Sequence, residues 1–327
     1  MAMQVLVTGA GGFIGHHLVK YLIGKGCRVR GVDIKHSEYE PTAAHEFSLL
    51  DLRDFNNSLS ATQGVEEVYH LGADMGGIGY ITAFHAGIAH NNALINLNML
   101  GAARLNGVKR FLFSSSACVY PQHLQRSPGV TPLREGDAYP ADPEEGYGWE
   151  KLFMEKLCQY YREDYGLETR IVRFHNVYGP LGTFEGGREK APAAVCRKVA
   201  LAQDGGSVEV WGDGKQTRSF MYVDDCVEGI YRIMRSDCPD PLNLGTDELV
   251  TVNDLVDLVA AVGGKRVTKK HDLSKAQGVR GRNSDNTKLR QVLGWEPQIR
   301  LRDGLVGTYG WIESELKKSH RLATVAT

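Results

Sequence analysis

Four residues in this chain could share one piece of chemistry: Ser116, Cys118, Tyr147 and Lys151. A tyrosine phenol titrates near pH ~10, so it serves as a base at neutral pH only when a nearby cation stabilises the phenolate. Lys151 stands four residues after Tyr147, on the same face if the segment is helical. Ser116, at the end of an apolar run, could hydrogen-bond the same substrate oxygen. Such a trio suits hydride transfer to or from an alcohol carbon. Cys118 adds a second capability, because a thiol titrating near ~8.5 can remove an acidic C–H proton. Oxidation at one carbon and proton abstraction at its neighbour together make redox-assisted epimerisation. The plain alternatives are a small buried hydrophobe for Cys118 and an ordinary exposed helix pair for Tyr147 and Lys151.

The surrounding pattern supplies the elements that would position them. Residues 4–8 are a valine-rich run of the kind buried on both faces of a parallel sheet. Gly9, Gly12 and Gly15 follow at once, and Ile14, Leu18, Leu22 and Ile23 then recur at helical spacing up to Gly24. Further strands are predicted at 28–33, 65–71, 109–114 and 169–173, with helices at 88–106 and 147–165. Strand and helix alternating in this way define an α/β fold with a doubly wound parallel sheet, the Rossmann arrangement. Beyond residue 175 the pattern changes to Gly/Pro-rich loops, helices at 192–202, 252–262 and 301–317, and short strands at 208–211 and 242–244. The domains expected are a nucleotide-binding unit over 1–175, to which some later segments return, a smaller substrate-binding lobe over 176–318, and a loose tail over 319–327.

A G-x-x-G-x-x-G turn between strand and helix offers a tight bend, close backbone approach and a positive helix N-terminus, which together suit a pyrophosphate. Phe13 and Ile14 open the helix beside it. Asp33 ends the next strand about 20 residues on, where an acid accepts from the adenosine ribose hydroxyls and repels a 2′-phosphate. NAD is therefore the expected cofactor, with Lys35 and His36 nearby keeping NADP as the alternative. Asp51, Leu52 and Ala73 follow the next strands, where this fold holds adenine and the nicotinamide ribose. Tyr147 and Lys151 would close the nicotinamide end.

Composition narrows the partners. With 327 residues, 42% of them hydrophobic and a formal charge of -1, the chain has ample core and no global bias toward nucleic acid or membrane. A small-molecule substrate is expected, its anionic groups held by placed cations. The six cysteines include no C-x-x-C pair, which argues against a zinc site or a disulfide framework and for a reducing cytoplasm. No run approaches the ~20 apolar residues of a membrane span, and the first residues lack a signal-peptide pattern.

These residues resemble the extended short-chain dehydrogenase/reductases that act on nucleotide sugars, over nearly the whole chain. Within that superfamily the 4,6-dehydratases usually carry Asp-Glu where this chain has Ala117-Cys118, and the 4-epimerases a small or hydroxylated residue. Cysteine there is similar to the GDP-mannose 3,5-epimerases, as are the strings at 70–77, 173–180, 186–194, 211–220 and 278–285. The resemblance implies catalytic roles for Ser116, Cys118, Tyr147, Lys151 and Lys190, with Cys118 as base and Lys190 as acid on opposite faces of the sugar. It also implies substrate contacts from Gly76, Ala117, Asn176, Glu189, Lys198, Gln216, Arg218 and Arg280, the three cations holding a diphosphate. Trp211 reads as core. By resemblance the substrate is GDP-mannose, the products are GDP-L-galactose and GDP-L-gulose, and the assembly is a homodimer through the helices at 88–106 and 147–165. The competing readings are another nucleotide-sugar 4-epimerase or a 4,6-dehydratase, and an inactive NAD-binding scaffold.

Overall fold

The computed structural model describes residues 2–275 and 277–320, with the backbone alone at 78; the expected tail lies from 321 onward outside the described residues. In chain order the strands are β1 (Gln4–Thr8), β2 (Arg28–Asp33), β3 (Glu46–Leu49), β4 (Glu67–His70), β5 (Arg110–Ser116), β6 (Glu168–Phe174), β7 (Asn176–Tyr178), β8 (Ser207–Trp211), β9 (Thr217–Tyr222), β10 (Leu242–Leu244), β11 (Leu249–Thr251), β12 (Thr268–Asp272) and β13 (Gly281–Arg282). The helices are α1 (Phe13–Gly24), α2 (Phe55–Thr62), α3 (Ile78–Ile81), α4 (His85–Leu105), α5 (Tyr147–Tyr165), α6 (Ala191–Leu201), α7 (Val223–Arg235), α8 (Val252–Val262), α9 (Thr287–Leu293) and α10 (Leu301–Lys318).

Seven strands form a parallel sheet in the order β3-β2-β1-β4-β5-β6-β10. Alternation along each strand feeds two cores. Val5, Val7 and Leu112 pack with Leu18 and Leu22 of α1 and Val227, Ile230 and Ile233 of α7. Leu6, Phe111 and Phe113 point the other way, against Met99 and Leu100 of α4 and Met154 and Cys158 of α5. The chain order reverses beside β1, so the crevice past the strand C-termini opens between Thr8, Asp33 and His70.

The structure corrects the sequence reading at several points. The 242–244 segment, expected in the substrate lobe, is β10 and pairs with β6 (Leu242↔Val172 to Leu244↔Phe174), covering what would be a bare sheet edge. α7 and α2 lie outside the predicted elements; α7 packs against α1 on the nucleotide-binding side, and β3 is the strand expected before Asp51. The remaining lobe has its own core, in which α6, α8 and α10 bury Val195, Val199, Leu255, Val256, Leu305 and Ile312. Its sheet is centred on β9, flanked by β11 and β13 and paired with β7. β7 follows β6 after one residue, so this sheet hangs directly beside the catalytic end of the first.

Candidate active site

Helix α1 begins without a side-chain cap or a first-turn acid, since Gly12 occupies its N-cap. By contrast, Asp54 caps α2 by accepting from Asn56 N at 2.8 Å, and Thr251 with Asp254 boxes α8. The first N–H groups of α1 are therefore left to a ligand, and an anion is what they and the helix dipole favour. Glycine is obligatory at 15, where a Cβ would lie 2.0 Å from the Gly9 carbonyl oxygen. Phe13 and Ile14 are the first two helical residues, as the motif requires. Asp33 accepts from Gly11 N at 2.9 Å and from Ile34 N and Lys35 N at 2.7 and 3.2 Å, which fixes its carboxylate against the turn. The cleft there is lined by Gly11, Gly12, Phe13, Lys35, Leu181 and Thr183. Asp51 is half-buried and engaged by Arg53 (Nε to Oδ1 3.0 Å, Nη2 to Oδ2 2.6 Å), Leu52 is buried, and Ala73 is half-buried just past β4.

At the other end of the crevice, α5 starts on the backbone of Cys118. A Cβ at Gly148 would lie 2.3 Å from the Cys118 carbonyl oxygen, so glycine permits the approach. Ser116, Cys118, Tyr147 and Lys151 are thereby brought together as expected. Cys118 N donates to Ser116 Oγ at 3.2 Å. Burial pushes the Tyr147 phenol well above its ordinary value, Cys118 and Glu150 add to this, and the Ser116 hydroxyl opposes it. Burial likewise pulls Lys151 below its ordinary value, against Glu150. The Lys151 side chain is 1% exposed. Its Nζ has no hydrogen-bond partner among the described residues and lies 5.5 Å from the Tyr147 ring centroid. A buried ammonium so placed fits ribose hydroxyls. With the uncapped α1 and the held Asp33, the site therefore fits NAD at both ends.

A hydrogen-bonded chain supports Lys151 from behind. Thr8 Oγ1 accepts from Leu71 N and Gly72 N and donates to His70 Nδ1 at 2.7 Å. His70 Nε2 donates to Asn96 Oδ1 at 2.8 Å, and Asn96 Nδ2 donates to Glu150, whose Oε1 stands 3.9 Å from Lys151 Nζ. Burial holds His70 down at about 3, which makes it neutral, and this network assigns its proton to Nε2.

Lys190 caps α6 by position and lies half-buried in the electrostatic reach of Cys118, Arg282 and Glu144. Burial lowers the Lys190 ammonium from its ordinary value and raises the Cys118 thiol. Around them, Glu189 accepts from Gly187 N at 2.7 Å and meets Arg197, and Gly76 is buried against Tyr80. Ala117 is buried in the turn between Ser116 and Cys118, and Asn176 donates to Ser219 O at 3.1 Å.

The cations of the second lobe separate into two kinds. Arg218 lies across from Arg282 in the β9–β13 pairing and, among the described residues, finds only carbonyl partners, Thr217 O at 2.7 Å and Gln277 O at 3.4 Å. Burial first, then Arg282, brings it down to about 10, against the opposing pull of Glu144. Arg280 is already paired with Asp213 through two 3.0 Å contacts, and Lys198 donates to Glu209 O and Oε1. Gln216 donates to Trp211 O and leaves a buried Oε1 without a partner among the described residues. Trp211 is not core. It is 39% exposed, donates to Glu209 at 2.8 Å, and has Lys198 and Lys275 each 5.9 Å from its ring, because β8 is covered on one face only (its burial alternates).

Residues 5–245 match the NAD dependent epimerase/dehydratase family. A rice (Oryza sativa subsp. japonica) protein named GDP-mannose 3,5-epimerase 1 is 48% identical over 97% of this chain and 83% of its own length. Among solved structures, the UDP-glucose 4-epimerase of Thermotoga maritima with UDP-glucose superposes with a TM-score of 0.85 (28% identity, 96% and 100% of the two chains). That of Thermus thermophilus in complex with NAD gives 0.80 (26%, 95% and 99%). The chain belongs to the NAD-dependent epimerase/dehydratase family, and its cofactor is NAD.

Sequence reasoning missed Arg282, Glu144, Glu150 and Asn96. Arg282 stands two residues past Arg280, inside the same string at 278–285, and that nearness is the available sign. Glu150 directly precedes Lys151. Nothing local marks Asn96 or Glu144.

Proposed function

We propose that this chain epimerises GDP-D-mannose at C3 and C5, giving GDP-L-galactose, with GDP-L-gulose as the product of inversion at C5 alone. Tyr147 takes the proton of the sugar C4 hydroxyl while Ser116 orients that oxygen and Lys151 stabilises the phenolate. Bound NAD supplies the hydride acceptor at C4 and returns the hydride at the end. With C4 a ketone, the protons at C3 and C5 are acidic, because the adjoining enolate delocalises the carbanion charge. The Cys118 thiolate removes the proton from one face, and Lys190 delivers one to the other. Arg218 receives the diphosphate, with Asn176 and Gln216 on the sugar and nucleotide.

One observation carries the reading: a buried thiol and a half-buried ammonium, within each other's field, flank a Ser-Tyr-Lys hydride site. A 4-epimerase needs no such acid–base pair, and a 4,6-dehydratase would use carboxyl chemistry here. The rice relative supports the base and sugar. In deuterium oxide, the galactose product should carry label at C3 and C5, a gulose product at C5 only, and neither at C4. GDP-L-galactose formed without label at either carbon would end the proposal.

The same reading includes a homodimer and a reducing cytoplasm. α4 and α5 lie side by side and expose Leu97, Leu105, Trp149, Phe153 and Tyr160, an apolar stripe that a two-fold mate would cover. All six cysteines are unpaired thiols. Light scattering at micromolar concentration should give twice the chain mass, and a monomer would remove the dimer.

A further inference from the structure

The Cys118 thiol is 7% exposed, and burial alone would keep it protonated. Something must make the thiolate reachable, and a formal cation donates to the sulfur from the other lobe. Arg282 Nη1 points at Cys118 Sγ from 3.7 Å. Its Nε donates to Gln125 Oε1 at 2.6 Å, and its Nη2 is ion-paired with Glu144. Gln125 is itself fixed, donating to Tyr120 O and Pro121 O, and Gln125 O accepts from Arg280 N at 2.9 Å. Gly281 seats β13 tightly, since a Cβ there would lie 2.3 Å from Ser127 O. Glu144 is tied to the same thiol-bearing turn, because its N donates to Cys118 O at 3.0 Å. These contacts hold the guanidinium between the sulfur and Glu144.

We propose that Arg282 is the positioning residue that makes Cys118 a base, its guanidinium serving as counter-ion to the thiolate while Gln125 aims it and Glu144 tempers it. Every charged group facing the sulfur enters this balance. From β9 and β13 come Arg218 and Arg282; before α6 stands Lys190; Lys151 and the phenol of Tyr147 face it from α5; Glu144 opposes them and, after burial, weighs most on the thiol, ahead of Arg282. Of these only Arg282 donates to the sulfur, and a guanidinium, unlike an ammonium, stays charged when buried. In the proton transfer, the thiolate lone pair forms the S–H bond and the C–H pair enters the enolate of the 4-keto sugar. Arg282 loses a neighbouring anion but transfers no proton. Glu144 keeps the thiolate from being so stable that it is a poor base, since basicity falls with its pKa.

This rests on the role of Cys118 as base, and its test can fail separately from that role. Iodoacetamide alkylation of Cys118 in the NAD-loaded enzyme, followed against pH by peptide mass spectrometry, reports the thiolate without any sugar. In Arg282→Gln the midpoint should rise by a unit or more, slowing alkylation at neutral pH about tenfold or more. Arg282→Lys should recover part of this. Glu144→Gln should move the midpoint down and speed alkylation at neutral pH, the opposite sign, which mere loosening of the fold does not produce selectively. Deuterium entry at C3 and C5 should fall in Arg282→Gln by more than oxidation at C4 does. An unmoved midpoint in Arg282→Gln, or an upward shift in Glu144→Gln, overturns the proposal, and the second measurement decides it if Arg282→Gln does not fold. Loss of the epimerase reading itself would show as absence of label in the unmodified enzyme, whatever the midpoint.

Discussion

Glu150 is the carboxylate closest to the catalytic ammonium, and removing its charge should shift the pH at which the enzyme stops working. Its Oε1 stands 3.9 Å from Lys151 Nζ, with both side chains nearly inaccessible (2% and 1% exposed). At that separation two unit charges attract by about 1 kcal/mol in a water-like medium and about 4 kcal/mol at the effective dielectric of a protein site. Burial already lowers Lys151, and Glu150 is the largest opposing influence. In Glu150→Gln the amide keeps the shape and can still accept from Asn96, but the ammonium loses that attraction. Lys151 should then deprotonate about one to three pH units lower. A neutral amine no longer stabilises the Tyr147 phenolate, so the alkaline limb of kcat/KM should move to lower pH by that amount, with the plateau below it largely kept. The measurement is a pH profile of epimerisation with NAD saturating, read beside the far-UV spectrum of each variant. An alkaline limb that stays in place, or moves upward, would refute the electrostatic role given to Glu150.

Other consequences follow from the same geometry. His70 and His175 are held near 3 by burial, against about 6.5 in an unfolded chain. Below the unfolded value the unfolded state therefore binds more protons, and stability falls with pH; at pH 5 the two should together have lost about 4 kcal/mol. Urea midpoints at pH 7 and 5 measure this, and a pH-independent midpoint would contradict neutral burial. Gly15→Ala places a methyl against the Gly9 carbonyl, so NAD affinity should drop tenfold or more, about 1.4 kcal/mol. Titration of the apo-protein by fluorescence checks this, and wild-type affinity would mean that the turn yields freely. Tyr147→Phe should abolish C4 oxidation and all label uptake, whereas Cys118→Ala should abolish label uptake and leave oxidation at C4. A Cys118→Ala enzyme that epimerises normally would return the thiol to packing.

The parts of this protein legible in the sequence are those in which a single element settles the geometry. Tyr147 and Lys151 share a face because a helix repeats every 3.6 residues, and Gly9, Gly12 and Gly15 make one turn whose shape needs no distant partner. Asp33 was readable because a parallel strand ends at a known interval after that turn. Ser116 and Cys118 belong to the same strand end. The tertiary structure decided what arrives from elsewhere. Arg282 meets Cys118 across 164 positions of sequence, through the pairing of Gly281 with Thr217, while the neighbouring Arg280 meets Asp213. Trp211 is exposed because only one face of β8 is covered, a matter of which helices pack where. β10 joins the first sheet because β6 offers an open edge, and α7, which precedes it in the chain, packs on the same sheet with Val227, Ile230 and Ile233 turned inward. Periodicity fixes neighbours along an element, but strand register and the burial of opposed surfaces fix neighbours across the chain, and a thiol becomes a base only by the second route.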